Sequence, residues 1–205
     1  MQRRRDMLNG WSLTGLLALA IVLMALGIAA GHGFDTEGVR AVIRATARTS
    51  FLLFGLAFSA AALHGFWPNA WTGWQRRNRR YLGVAFAASH AVHAVAILSL
   101  ALVSPPQFAA AVTPPMLLFG GIGYAFIALM VATSFDRTAR LTGPRAWRVL
   151  HWTGAHYLWL AFLNGFLSRT GADPLNWLPV AILVAIMSLR VARWYFARRI
   201  RERVA

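Results

Sequence analysis

The stretch YLGVAFAASHAVHAVAILSLALV, residues 81–103, carries no Asp, Glu or Arg over 23 residues. At roughly 1.5 Å per residue it makes about 35 Å of helix, enough to cross a hydrocarbon core of roughly 30 Å. Five similar stretches flank it, at about 11–30, 50–67, 115–134, 147–167 and 175–189. Apart from Arg148 at the entry of the fifth span, none contains Asp, Glu or Arg. The sixth is the shortest and is read as spanning with help from Arg190 and Arg193, whose long side chains can snorkel to the headgroups. These runs predict an all-α integral membrane protein, a six-transmembrane-helix bundle forming one domain over residues 1–205. Composition agrees. The chain is 58% hydrophobic with a mean hydropathy of +0.53, and only 13% of it is charged, too little to coat a soluble domain of this length.

The first run could be confused with a cleaved signal peptide, since MQRRR precedes it. At about 20 residues it exceeds the roughly 7–15 of a signal core, so a retained anchor is expected.

The net charge is +15, all of it from arginine. A basic balance can mean nucleic-acid binding, but the placement of the arginines gives a different reading. Arg3, Arg4 and Arg5 precede the first span. Arg76, Arg77, Arg79 and Arg80 lie between the second and third. Arg137, Arg140, Arg145 and Arg148 lie between the fourth and fifth. Arg190, Arg193, Arg198, Arg199, Arg201 and Arg203 follow the sixth. All of these fall on one side of a six-span arrangement; only Arg40, Arg44, Arg48 and Arg169 fall on the other. The positive-inside rule then puts both termini in the cytoplasm, and the charge implies anionic lipid headgroups rather than nucleic acid as partners. Tryptophans agree: Trp11, Trp67, Trp71, Trp74, Trp147 and Trp194 sit at the cytoplasmic ends, and Trp177 near the opposite interface. Trp152 and Trp159 fall inside the fifth span and need a packing role. Residues 32–47 form the long external connection, with Arg40, Arg44 and Arg48 every four residues suggesting a surface helix in part of it. Ser-Pro-Pro (104–106) and Thr-Pro-Pro (113–115) bracket the next external turn.

Five of the six histidines, His64, His90, His93, His151 and His156, lie within the apolar stretches. A polar ring in hydrocarbon is costly and marks a functional site by default. Counted from the cytoplasmic ends, His64 and His151 share a shallow depth. His90 and His156 lie roughly 13 Å in, with His93 one turn further. Depth therefore permits the pairs His64 with His151, and His90 or His93 with His156. His151 and His156 are about 140° apart on an ideal helix, so they serve two sites or only one is a ligand. Small residues flank them, Ala60 to Ala62, Ala87 to Ser89 and Gly154 to Ala155, although close helix packing uses such residues anyway. No carboxylate or thiolate accompanies these imidazoles, and the chain has no cysteine. That disfavours di-iron, structural zinc and iron–sulfur sites and leaves haem b as the expected cofactor. His93, His151, His64 and His156 are the candidate axial ligands to iron, with His90 a further contact. Arg79, Arg80 and Arg148 are the candidate partners of the propionates.

Arg-Arg-Tyr-Leu-Gly (79–83), with His93 ten residues after Gly83, resembles the third span of the ferric reductase-like transmembrane family. The nearest branch is the haem-binding membrane subunit of the periplasmic methionine-sulfoxide reductase system. Thr-Ser (133–134) and Trp-Arg-Val-Leu-His (147–151) are similar to that branch too. The resemblance implies one or two haems, with His93 and His151 as ligands, in a bacterial inner membrane. The family usually carries another histidine thirteen residues after the one at 151; here Asn164 stands there. That leaves the second iron site lost, rewired to His156 or His90, or five-coordinate, with His64 a local replacement.

The expected function is a b-type cytochrome subunit, taking electrons from a quinol or a flavoprotein and passing them to a partner protein or an external acceptor. No flavin or nicotinamide module is recognisable. Gly120-Gly121-Ile122-Gly123 lies inside a span and reads as helix packing. The chain is therefore not a complete reductase alone. Two other classes fit the sequence: a haem-free scaffold or assembly subunit, and a small transporter subunit. The transporter reading lacks a buried acid, because Asp6, Asp35, Glu37, Asp136, Asp173 and Glu202 all fall in loops or tails.

Overall fold

The computed structural model describes residues 8–204, all of it helix and turn. Arg3, Arg4, Arg5 and Asp6 lie outside the described residues, and so do the side chains of Arg201 and Arg203. The helices are α1 (Gly10–Gly31), α2 (Thr36–Phe66), α3 (Ala70–Val103), α4 (Pro105–Ala111), α5 (Pro114–Ala132), α6 (Asp136–Thr142), α7 (Pro144–Leu167) and α8 (Trp177–Val204). A short 3₁₀ turn, Pro174–Asn176, leads into α8. Five segments are long and apolar enough to cross a membrane: α1, α2, α3, α5 and Pro174–Arg199. At 24 residues α7 has the length, but Arg145, Arg148, His151, His156 and Asn164 dilute its apolar character.

Two helices begin well before the apolar stretches that foreshadow them. The connection expected over 32–47 is a single helix from Thr36 onward, because Asp35 caps it by accepting the Gly38 N–H at 2.7 Å and nothing interrupts it before Phe66. Arg40 uses this rigid extension to donate to Gln107 Oε1 at 2.9 Å. The basic segment 76–80, expected between the second and third spans, is the second and third turns of α3. Asn69 and Thr72 form a reciprocal capping box that starts the helix at Ala70. The proline-flanked turn contains α4, with Pro105 and Pro114 pre-setting the first turns of α4 and α5. Between α6 and α7, Gly143 adopts φ +77°, a conformation that favours glycine, and so sets the direction in which α7 departs.

The α2–α3 hairpin is the most extensive packing in the molecule; α1 lies against both helices and α8 against α2. α5 and α7 pair separately, α7 also meets α8, and α3 touches α5 only lightly. Phe51, Phe54, Phe58, Leu82, Phe86, Ile127, Leu158 and Leu183 form the core where these groups meet. Gly154 brings α7 close to α5: a Cβ there would lie 2.6 Å from Met130 Sδ. Gly123 has the packing role expected of its motif, against Tyr157 and Leu158, whereas Gly120 and Gly121 face open space. Trp159 is held by its Nε1–H donating to the Leu183 carbonyl at 3.0 Å. Leu98, Leu102, Leu118, Phe119 and Leu178 are each more than 60% exposed. Such an apolar surface suits contact with acyl chains, not water.

A buried polar seam joins α2 to α3. Ser50 Oγ donates to Ser89 Oγ at 2.9 Å, and Ser89 Oγ donates to the Thr46 carbonyl at 3.3 Å. Further along, Gln75 Nε2 donates to the Leu56 carbonyl and to Ser59 Oγ. Interhelical hydrogen bonds of this kind hold helices together where apolar surface provides no driving force.

Candidate functional site

Each of three histidines is bonded to a threonine whose own proton is already committed. Thr46 Oγ1 donates to the Val42 carbonyl at 2.7 Å, so it accepts from His93 Nδ1–H at 3.0 Å. Thr72 Oγ1 donates to the Trp67 carbonyl at 2.7 Å and accepts from His64 Nδ1–H at 3.1 Å. Thr133 Oγ1 donates to the Leu129 carbonyl at 2.8 Å and accepts from His151 Nε2–H at 3.0 Å. The bond made by one ring nitrogen fixes which nitrogen keeps its lone pair. That nitrogen is Nε2 in His93 and His64, and Nδ1 in His151. His156 Nδ1–H donates to the Trp152 carbonyl at 2.6 Å, leaving Nε2 with the lone pair.

The depth-based pairs do not form as contacts. His64, on the last turn of α2, faces Thr72 rather than His151. The His156 ring packs on Trp152 at 4.3 Å and edge-on to Phe58 at 5.5 Å, away from His90 and His93. Equal depth is no constraint on rotation about each helix axis, and packing at Gly154 decides that rotation for α7. His90 and His93 instead stack on each other at 5.2 Å. Phe86, Tyr124 and Phe162 surround His90, and its buried Nδ1 has no hydrogen-bond partner among the described residues. The charge of Arg169, at the far end of α7, reaches His93.

A cavity of about 470 Å³, within the usual range for a small-molecule site, opens between α2, α3, α5, α7 and α8. Phe54, Phe58, Phe86, Ile127, Met130 and Leu158 form its apolar walls. Arg76, Arg77, Arg79 and Arg80 line it from the first turns of α3, Arg190 from α8, and His151 from α7. His151 is steadied there by stacking on Trp147 at 4.2 Å, while Trp147 Nε1 donates to the Thr133 carbonyl. Of the eight residues singled out from the sequence, the cavity brings together His151, Arg79 and Arg80. His64, His90, His93 and His156 lie outside its walls, and so does Arg148, which is exposed.

Arg80 is partly committed: its Nη1 pairs with Asp136 at 2.7 Å and its guanidinium lies over Trp11 and Tyr81, while its buried Nε has no partner among the described residues. Arg190 corrects an expectation. It does not reach out to headgroups but folds inward, its guanidinium 3.9 Å over the Phe58 ring and Nη1 donating to the Phe58 carbonyl at 2.7 Å. A basic residue at the end of an apolar run gives no local sign of this, because a ring on another helix draws the side chain in. The threonine partners had a fainter signal: Thr46 and Ser50 on α2, and Ser89 and His93 on α3, are each four apart, which puts each pair on one helical face.

Chemically, the cavity can take a group that is apolar and aromatic at one end and acidic at the other. Among the described residues, no three His, Asp or Glu side chains group to hold a bare metal ion. No family model, curated protein or solved structure matches the chain.

Proposed function

We propose that this chain is a membrane-embedded b-type cytochrome subunit of the ferric reductase-like kind, with six spans and both termini in the cytoplasm of a bacterial cell. One observation carries the reading: a cavity with apolar aromatic walls that gathers His151, Arg79 and Arg80, three residues chosen from the sequence as haem contacts. The residues fit the group. His151 offers an imidazole held by Thr133 and Trp147, and its ring must turn about that bond or ligate through Nδ1. His93 offers Nε2 with its lone pair free, the arrangement that outer-shell hydrogen bonding gives to metal-ligating histidines. The lining arginines suit propionate carboxylates, and the phenylalanine walls suit the porphyrin face. Haem, when bound, supplies reversible one-electron chemistry.

The protein's own part is to orient imidazoles, hold carboxylates and exclude water. In this reading the arginine-lined side of the cavity faces the cytoplasm, and the electron donor, a quinol or a flavoprotein, reaches it there. In the same reading the stacked His90 and His93, deeper along α3, are on the side of the external acceptor or partner protein. Under this reading α7 is a sixth span, with His151 turned into the cavity.

A haem-free scaffold is the second reading, and a specific observation favours it: His64, His151 and His156 already have hydrogen-bond partners within the chain. A dithionite-reduced minus oxidised spectrum of the detergent-purified chain separates the two. The cytochrome reading expects a sharp b-type band, and a flat spectrum after expression with ample haem rejects it.

A further inference from the structure

Arg190 is a cation without a counter-charge in an apolar wall. Among the described residues the ion pairs are Arg40 with Glu37, Arg80 with Asp136, and Arg198 with Glu202; none reaches Arg190. Its guanidinium is half-buried over Phe58, and its buried Nε–H has no partner among the described residues. The charge of Arg79 bears on it from across the cavity. Like charges held together beside phenylalanine walls are unfavourable in a low dielectric unless an anion joins them. An interface anchor would instead extend into the headgroups. The Phe58 carbonyl and ring hold Arg190 in place from one side and leave Nε over.

We propose that Arg190 is the residue that binds an acidic group of the cavity's ligand. Resting on the haem reading above, that group is a propionate carboxylate. A guanidinium meets a carboxylate with parallel N–H donors, and Arg190 has an unused one. Arg190 is thus a ligand-binding residue contributed by the last helix, distinct from the Arg79 and Arg80 contacts expected from α3.

The test compares two probes on the full-length apo-protein in detergent: haem b, and haem b whose two propionates are methyl esters. Uptake is read by absorbance, alongside elution volume as a check of folding. Wild type is expected to prefer the free acid by about tenfold or more, as a hydrogen bond between charged partners sustains. R190Q should cut that preference severalfold, because one guanidinium contact is lost while Arg79 and Arg80 remain along the cavity. R190K should keep part of it through its charge. If wild type and R190Q show the same preference, Arg190 does not bind the carboxylate while the haem reading stands. If R190Q fails to fold, R190K decides: retention of part of the preference supports the proposal, and the full wild-type preference in R190K overturns the guanidinium-specific contact. A wild-type chain that takes up neither probe overturns the haem reading and this proposal with it.

Discussion

The two places where histidines sit in this molecule are built differently. His151 lines an open cavity with five arginines around it, and its own hydrogen bond is to a side chain near the end of α5. His93 is packed into the α2–α3 seam, bonded to a fully buried Thr46 and stacked on His90. The first environment has space and charge and contributes little to holding the bundle together. The second lies outside the cavity walls, and its polar atoms serve helix association. An imidazole can thus be a ligand in waiting or a structural group according to whether its neighbours fill the volume beside it. Phe86 is the boundary: it forms part of the cavity wall and packs on His90 at 5.3 Å.

The difference is sharpened most by removing each ring in turn. His93→Ala is expected to destabilise the apo-protein by about 2–3 kcal/mol, through lost packing and an unmet hydrogen bond at Thr46. His151→Ala, beside a cavity, should cost under about 1 kcal/mol. Thermal unfolding in one detergent measures both, and equal losses would erase the distinction. Next comes the contact that orients α7. Gly154→Val places atoms against Met130 and Phe126 and should cost about 2 kcal/mol, disturbing His151 more than His93. Thr46→Val keeps the shape but deletes the acceptor of His93 Nδ1–H, for about 1 kcal/mol of stability, and frees the tautomer; ¹⁵N shifts of the ring report that change. Ser50→Ala, removing one bond of the seam, is the smallest, about 0.6 kcal/mol, in keeping with interhelical hydrogen bonds in bilayers.

Much of this architecture is written in the apolar runs, and some of it is not. The all-helical membrane character follows directly from stretches such as 81–103. Helix starts were harder to see, because the caps at Asp35 and Asn69 lie inside basic or polar segments that look like loops. Arg79, Arg80 and His151, each singled out from the sequence, line one cavity. The place of Arg190 there was not legible, since its inward fold depends on Phe58, which is 132 residues away along the chain. The histidine pairs failed for a related reason. Depth follows from counting residues, but which way a ring points depends on helix rotation, and contacts such as Gly154 against Met130 set that rotation.

The central proposal is that the arginine-lined cavity holds haem through His151, while His93 lies outside its walls in the α2–α3 seam. Haem counted per chain in wild type, His93→Ala and His151→Ala, all purified in the same detergent after growth with ample haem, tests it most directly. The account predicts at least one haem per wild-type chain, a clear loss in His151→Ala at nearly unchanged thermal stability, and a loss in His93→Ala that accompanies lower stability. Full haem content in His151→Ala, or none in the wild type, would contradict it.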